Sequence, residues 1–130
     1  MTPAPRRAAA AALVLALAQA GCATPPGLEP GRPLEVPAVP LPPYQSHEEC
    51  VALAPGDRLQ YRFGSTAPLA FNIHYHEGRA VVMPVTRERV SADEGTFAPL
   101  VAQEYCLMWE AGAEGTTIDY TLRLTRGRPR

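Results

Sequence analysis

The chain has 130 residues and a formal net charge of −1 at pH 7, and all twelve of its basic residues are arginine. This length suits one domain and excludes a multidomain enzyme. The near-neutral charge balance excludes the strongly basic surface that nucleic-acid binding requires. An alanine- and leucine-rich N-terminus and a proline-rich stretch leave about 80 residues for a folded core.

The N-terminus has the three parts of a bacterial export signal. Arg6 and Arg7 precede an apolar run at residues 8–18, and small residues follow. This run is shorter than the roughly 20 residues that a membrane-spanning helix needs. We therefore predict a cleaved signal peptide over residues 1–21.

Two processing sites compete at the end of this signal. Ala18, Gln19 and Ala20 fit an ordinary signal peptidase site, whereas Gln19, Ala20, Gly21 and Cys22 resemble a bacterial lipobox, in which Gln19 replaces the usual leucine. Two or three acyl chains on Cys22 would hold the protein firmly on a membrane. In the lipoprotein pattern, Ala23 as the second residue implies the outer membrane. The resemblance implies a lipoprotein facing the periplasm, and the alternative is an unlipidated periplasmic protein.

Residues 22–45 are predicted to be a tether. Eight prolines lie between Pro25 and Pro43. Because proline lacks an amide donor and fixes φ, such a stretch favours extended polyproline II. We expect a semi-rigid spacer, and a ligand for a proline-binding module is the alternative.

The cysteine count is consistent with export. Three cysteines leave an odd thiol in an oxidising compartment, and lipidation of Cys22 would remove it. Cys50 and Cys106 then form one candidate disulfide, which the chain-entropy model values at about 4 kcal/mol. Metal ligation by the two thiols is the alternative, although neither belongs to a C-x-x-C pair.

The folded domain, predicted over residues 46–126, has the pattern of an all-β protein. Apolar and polar residues alternate in short segments separated by turn residues. Pro84 suggests an edge strand or a bulge. The predicted strands are residues 50–53, 58–63, 69–76, 80–85, 96–98, 104–110 and 116–124. About seven short strands and no amphipathic helix predict an antiparallel β-sandwich.

The order of the strand motifs resembles a GOLD-type, jelly-roll-like β-sandwich. The motifs are Cys50, the run from Gly56 to Phe63, the run from Leu69 to Ile73, Gly95-Thr96-Phe97, the run from Tyr105 to Trp109, and Ile118-Asp119-Tyr120. GOLD domains occur in secretory-pathway cargo receptors and some lipid-transfer proteins. The cargo receptors have a disulfide in a placement similar to Cys50 and Cys106, but here Cys106 directly follows Tyr105. Glu110-Ala111 also replaces the family's usual asparagine. The resemblance implies a non-catalytic module that binds protein or lipid, without a trafficking function.

The usual catalytic motifs are missing from the sequence. It has no G-x-S-x-G elbow, P-loop, H-E-x-x-H or C-x-x-C. Ser46, His47 and Glu48 are sequence neighbours, which does not by itself build a catalytic triad. We therefore predict a protein that is not an enzyme and needs no cofactor.

His74 and His76 are the candidate metal ligands. Residues i and i+2 of a strand share a face, so the two imidazoles can converge on one copper or zinc ion. His47, Glu77, Asn72 or Met108 would have to complete the site. The alternative is that both histidines decorate a solvent-facing strand.

Two functions follow from these observations. The first is a lipid-anchored envelope protein whose β-sandwich is an interaction or structural module for a protein partner. An exposed apolar patch with a polar rim on one sheet face would favour it. The second is a periplasmic copper- or zinc-binding protein that uses His74 and His76.

Overall fold

A computed structural model describes residue 1 and residues 27–129 of the chain. The described residues form an all-β, antiparallel structure, as predicted. Its strands are β1 (Leu34–Leu41), β2 (Ser46–Leu53), β3 (Arg58–Glu77), β4 (Ala80–Phe97), β5 (Gln103–Ala111) and β6 (Thr116–Thr125). The described part of the chain has no helix long and apolar enough to cross a bilayer. Beyond Met1, the predicted signal peptide lies outside the described residues, and so does Cys22.

One long hairpin, β3 with β4, organises the sheet. The first half of β3 pairs with β6, and its second half pairs with β5. β4 follows the other edge of β3 along both halves. β1 extends the sheet beyond β6, and β2 extends it beyond β5. We call these two parts the β6 half and the β5 half, and the curled sheet brings their inner faces together.

The two long strands account for the difference between the predicted and the observed number of strands. Six strands form rather than about seven, because β3 and β4 each join two predicted segments, and β1 was not predicted. The expected breaks at residues 64–66 and 87–95 carry small and polar side chains. Their backbone still pairs with neighbouring strands over most of this length.

Side-chain hydrogen bonds hold β3 at its bend. Register shifts occur between Gly64 and Leu69. The hydroxyl of Thr116 accepts a bond from the Ala67 amide at 3.0 Å and donates to the Ala67 carbonyl at 3.1 Å. The Thr66 hydroxyl accepts from the Thr117 amide at 3.0 Å. These bonds satisfy backbone groups that the strand ladder leaves free.

Aromatic side chains from both halves fill the core. The ring centroids of Phe63 and Phe71 lie 4.7 Å apart, and Trp109 stacks on Tyr120 at 4.6 Å. Trp109 belongs to β5 and Tyr120 to β6, so this contact joins the two halves. The predicted inward faces of residues 59–63, 105–109 and 118–124 are confirmed.

The predicted tether was wrong for residues 34–41. These residues form β1, which pairs with β6 from Leu34 opposite Leu122 to Leu41 opposite Thr116. Leu34 and Leu41 are buried in the core. The prolines are tolerated because β1 is an edge strand, and a register shift between Val36 and Val39 accommodates Pro37. The sandwich therefore begins before the predicted boundary at residue 46.

The predicted disulfide between Cys50 and Cys106 is confirmed, with an S–S distance of 2.04 Å. The two cysteines lie directly opposite each other on β2 and β5. The bond therefore joins edge strand β2 to the rest of the β5 half.

Candidate functional site

The outer face of the β5 half contains most of the candidate metal ligands and both disulfide cysteines named in the sequence analysis. We call it the histidine face, and its strand register places its members in rows. They are Glu48 and Cys50 on β2, Cys106 and Met108 on β5, Asn72, His74 and His76 on β3, and Val81 and Met83 on β4. The predicted sharing of one face by Asn72, His74 and His76 is confirmed.

His74 is buried on this outer face, with only 5% of its surface exposed. Its Nδ1–H donates to Asn72 Oδ1 at 2.7 Å. Its Nε2 lies 3.7 Å from Glu48 Oε1. The His74 and His76 rings meet edge to face, with centroids 5.3 Å apart. His74 is therefore held in place by burial and a hydrogen bond, and it does not face solvent as the alternative prediction had it. His76, in contrast, is exposed.

A bulge in β4 borders His74. Ile73 pairs with Val85 and Tyr75 pairs with Val82, so Met83 and Pro84 both lie opposite His74. The sequence prediction of an edge or bulge at Pro84 is confirmed, because among residues 27–129 β4 pairs with β3 alone and its register shifts here. A proline at this point removes no ladder bond that the sheet needs.

The potential metal ligands are partly brought together. Glu48, Asn72 and Met108 share the face with the two histidines, while His47 turns to the inner side. Within the described residues, the one three-ligand group of suitable spacing is Glu48, Cys50 and Cys106. The disulfide occupies both sulfurs of that group, so it offers no thiolate.

Exposed apolar side chains and acidic residues complete the histidine face. Val81 is 47% exposed and Met83 is 49% exposed. Glu48, Glu104 and Glu110 take outward positions on β2 and β5 and are exposed. The outward positions of β2, β5 and the second half of β3 include no arginine. This face combines an apolar patch on β4 with an acidic rim on β2 and β5, and β3 lies between them. β4 itself also carries the exposed Arg87 and Arg89.

A second polar cluster, which the sequence did not reveal, lies between the halves. Tyr120 Oη is 2.9 Å from His47 Nε2 and donates to Glu49 Oε2 at 3.3 Å. Burial, followed by the nearby Glu49 carboxylate, raises the pKa of the Tyr120 hydroxyl. A phenol with a raised pKa remains protonated and is a poor nucleophile. The cluster links β2 to β6, and only the alternation of inward positions on β2 hinted at it.

The Ser46-His47-Glu48 run does not form a triad in the structure. His47 points inward to Tyr120 and Glu48 points outward to His74. This separation follows from the twofold alternation of a strand. Neighbours in sequence therefore contribute to two different clusters.

The outer face of the β6 half has a different chemistry. We call it the arginine face, and it contains a groove of about 640 Å³. Arg62 Nε lies 3.0 Å from Glu94 Oε2, and both side chains are largely exposed. The groove is lined by Glu35, Gln60, Tyr61, Arg62, Glu94, Gly95, Thr96, Thr121 and Arg123. Its charged groups are of both signs and lie in solvent.

Comparison with known proteins finds similarity at the level of structure. No protein-family model and no curated protein sequence matches the chain. PliG of Aeromonas hydrophila, a periplasmic lysozyme inhibitor of g-type lysozyme, is similar over 72% of this chain and 85% of its own, with 12% identity and a TM-score of 0.48. A de novo designed double-stranded β-helix is similar over 72% of this chain and 97% of its own, with 18% identity and a TM-score of 0.38. At these values neither similarity assigns this chain to a family or a function.

Proposed function

We propose that this chain is a non-catalytic envelope lipoprotein that binds a protein partner through its histidine face. The observation that carries the proposal is the pair of exposed apolar residues, Val81 and Met83, beside the acidic rim. In the proposal Cys22 bears the lipid, and the sandwich faces the periplasm from the outer membrane. No step of the proposed function requires a nucleophile or a cofactor.

The apolar part of the histidine face is the expected centre of the contact. Burying Val81 and Met83 against a partner removes apolar surface from water, which is the main favourable term in protein association. Methionine also adapts its shape to a partner surface. The arginine face lacks such a centre, because its exposed residues are mainly charged or polar.

The acidic rim specifies the chemistry of the partner. Glu48, Glu104 and Glu110 lie on β2 and β5, separated from Val81 and Met83 by β3, and β2 and β5 carry no arginine. A partner with a projecting apolar side chain and lysine or arginine on one side of it would match this arrangement. Charge complementarity of this kind raises the association rate and excludes acidic competitors.

Covalent and hydrogen bonds constrain the β2, β5 and β3 part of the face before any partner arrives. The Cys50–Cys106 disulfide fixes the two strands that carry Glu48 and Met108. The bond between His74 and Asn72 holds the centre of the face. A preorganised surface loses less conformational entropy on binding than a mobile one.

Site-specific photocrosslinking in intact cells tests the interaction. A photoreactive amino acid replaces Met83 on the histidine face or, as a matched control, Thr96 on the arginine face. We expect a discrete protein adduct from position 83 and none from position 96. With the purified partner, Met83→Asp is expected to weaken binding by at least about tenfold, and Arg62→Glu is expected to leave it unchanged. Equal adducts from both positions, or full affinity in Met83→Asp, would refute the assignment of the face.

The lipid anchor has its own test. Metabolic labelling with a palmitate analogue should mark the wild-type chain, and Cys22→Ala should abolish the label. A wild-type chain that is exported but remains unlabelled would be an ordinary periplasmic protein. That outcome would remove the anchor and leave the interaction face to be judged by the crosslinking.

Copper or zinc binding is the second candidate function. Asn72 orients His74 so that Nε2 faces Glu48, and an oriented imidazole is typical of metal ligands. His76 offers a second imidazole on the same face. Calorimetric titration of the mature chain with each metal should then give an affinity that His74→Ala and His76→Ala both reduce. Affinity no better than about millimolar, or unchanged in these variants, would exclude the site.

A further inference from the structure

Residues 28–32, the first described residues before β1, lie at one end of the sandwich, which we call the basal end. The basal end also includes the turn at residues 54–57, the loop at residues 98–102 and residues 126–129. The Gly31 amide donates to the Leu124 carbonyl at 2.8 Å. Arg126 Nη1 donates to the Ala52 carbonyl at 2.8 Å. The pairing of Leu59 with both Phe97 and Leu124 places the start of the 98–102 loop at the same end.

The loop at residues 98–102 is entirely apolar in its side chains and projects into solvent. Its sequence is Ala-Pro-Leu-Val-Ala. Leu100 is 91% exposed and Val101 is 44% exposed. An exposed leucine alone would be unremarkable, but Leu100 and Val101 adjoin each other in an apolar loop, and such continuous apolar surface is costly to leave in water.

The loop is held in place rather than free. The hydroxyl of Tyr105 donates to the Val101 carbonyl at 2.8 Å. Tyr105 is itself buried, and its ring contacts those of Phe97 and Tyr75 at 5.0 and 5.2 Å. Pro99 is buried as well. The core therefore supports the loop from beneath while Leu100 points outward.

We infer that this loop contacts the phospholipid surface that carries the Cys22 lipid. The inference rests on the lipid anchor of the proposed function and adds the orientation of the domain on the membrane. Pro30 follows Cys22 by eight residues, which span at most about 30 Å even when fully extended. The opposite end of the sandwich lies a further ten-residue strand away, about another 30 Å. Chain connectivity thus keeps the basal end within about 30 Å of the bilayer, and the exposed Leu100 loop lies at that end.

The charges of the basal end are compatible with phospholipid headgroups. Arg58 and Arg128 are exposed there, and guanidinium groups bind phosphate oxygens well. The two carboxylates among the basal-end residues, Glu29 and Asp57, are paired with Arg32 at 3.4 Å and with Arg126 at 2.8 Å. With Leu100 in the interface, the strands run away from the membrane, and the histidine face points sideways toward a partner.

Fluorescence quenching by brominated lipids tests the contact. The acylated full-length chain is reconstituted into phosphatidylethanolamine and phosphatidylglycerol vesicles with brominated acyl chains. Leu100→Trp places a reporter in the loop, and Glu114→Trp places the matched control in an exposed turn at the opposite end. Trp109 is fully buried and gives the same background in both variants. We expect quenching of the Leu100→Trp reporter to exceed that of the control by at least about twofold. Equal quenching would overturn the inference.

Hydrogen exchange of the unsubstituted lipoprotein provides a second measurement. We expect amides of residues 98–102 to exchange more slowly on vesicles than in detergent, while residues 112–115 stay unchanged. Unchanged exchange in both regions would also overturn the inference. Vesicle flotation distinguishes failure of the lipid anchor from failure of the proposed orientation. A wild-type chain that does not float would refute the anchor and the orientation together, whereas a floating chain with an unprotected loop would refute the orientation alone.

Discussion

The two outer faces of the sandwich use polar residues in opposite ways. On the arginine face, Arg62 and Glu94 meet in solvent, and either charge could persist without the other. On the histidine face, His74 and Asn72 are buried, and each depends on the other for a hydrogen bond. An exposed ion pair contributes little to stability, whereas a buried polar group is costly when its partner is lost. The histidine face is therefore the more constrained surface, and substitutions should separate the two faces.

The largest expected effect comes from removing the disulfide of the histidine face. Replacement of Cys50 and Cys106 together by alanine should lower the free energy of unfolding by about 4 kcal/mol, because the unfolded chain regains the freedom of the closed loop. Urea denaturation of the variant beside the wild type measures this loss. Equal unfolding midpoints would show that backbone pairing alone secures β2.

The next largest effect concerns Asp57, which ties the turn before β3 to the chain after β6. Its carboxylate accepts bonds from the Gly127 and Ala54 amides and from Arg126. These contacts, led by the Gly127 amide, lower the pKa of Asp57. Asp57→Ala should cost about 1.5–3 kcal/mol at neutral pH.

The lowered pKa of Asp57 also determines how its contribution to the free energy of unfolding changes with pH. The stabilisation by ionised Asp57 is present above the unfolded-state pKa of about 3.9 and is lost as the pH falls toward the lower folded-state pKa. The difference in unfolding free energy between wild type and Asp57→Ala should therefore shrink below about pH 4. Thermal denaturation from pH 7 to pH 3 measures it. A difference that stays constant over this range would contradict the contribution of the charge.

A smaller effect distinguishes the two histidines of one face. His74→Ala should destabilise the protein by about 1–2 kcal/mol, because it leaves the buried Asn72 oxygen without its donor. His76→Ala, at an exposed position, should change stability by less than about 0.5 kcal/mol. Urea denaturation of both variants makes the comparison. Equal losses would show that the bond between His74 and Asn72 contributes nothing.

The smallest effect belongs to the arginine face. Arg62→Ala should cost no more than about 0.5 kcal/mol, because the ion pair with Glu94 is screened by water on both sides. The same denaturation experiment in low and high salt measures it. A loss as large as that of His74→Ala would abolish the contrast between the two faces.

Strand positions and core faces could be predicted because alternation is local. Leu59, Tyr61 and Phe63 mark an inward face without any knowledge of their partners. β1 was missed because its prolines outweighed Leu34, Val36, Val39 and Leu41 in the prediction. An edge strand needs only one side of its backbone for pairing, so a proline-containing segment could still join β6.

The candidate site was predictable only in part, because a sequence pattern shows which residues share a face of a strand but not which distant residues lie beside them. His74 and His76 were recognised as sharing a face, since residues two apart always do so in a strand. The position of Glu48 beside His74, and of Glu49 beside Tyr120, depends on contacts between residues far apart in the sequence. No local pattern encodes those distances.

The sequence by itself determined the all-β character, the inward faces of the strands and the candidate disulfide partners, because strand alternation and cysteine count are properties of the chain alone. Only the tertiary structure decided that β3 and β4 bend to serve both halves, that His74 is buried on an outer face, and that the apolar loop lies where the chain enters. Those features arise from register and curvature, which are set by many weak contacts acting together.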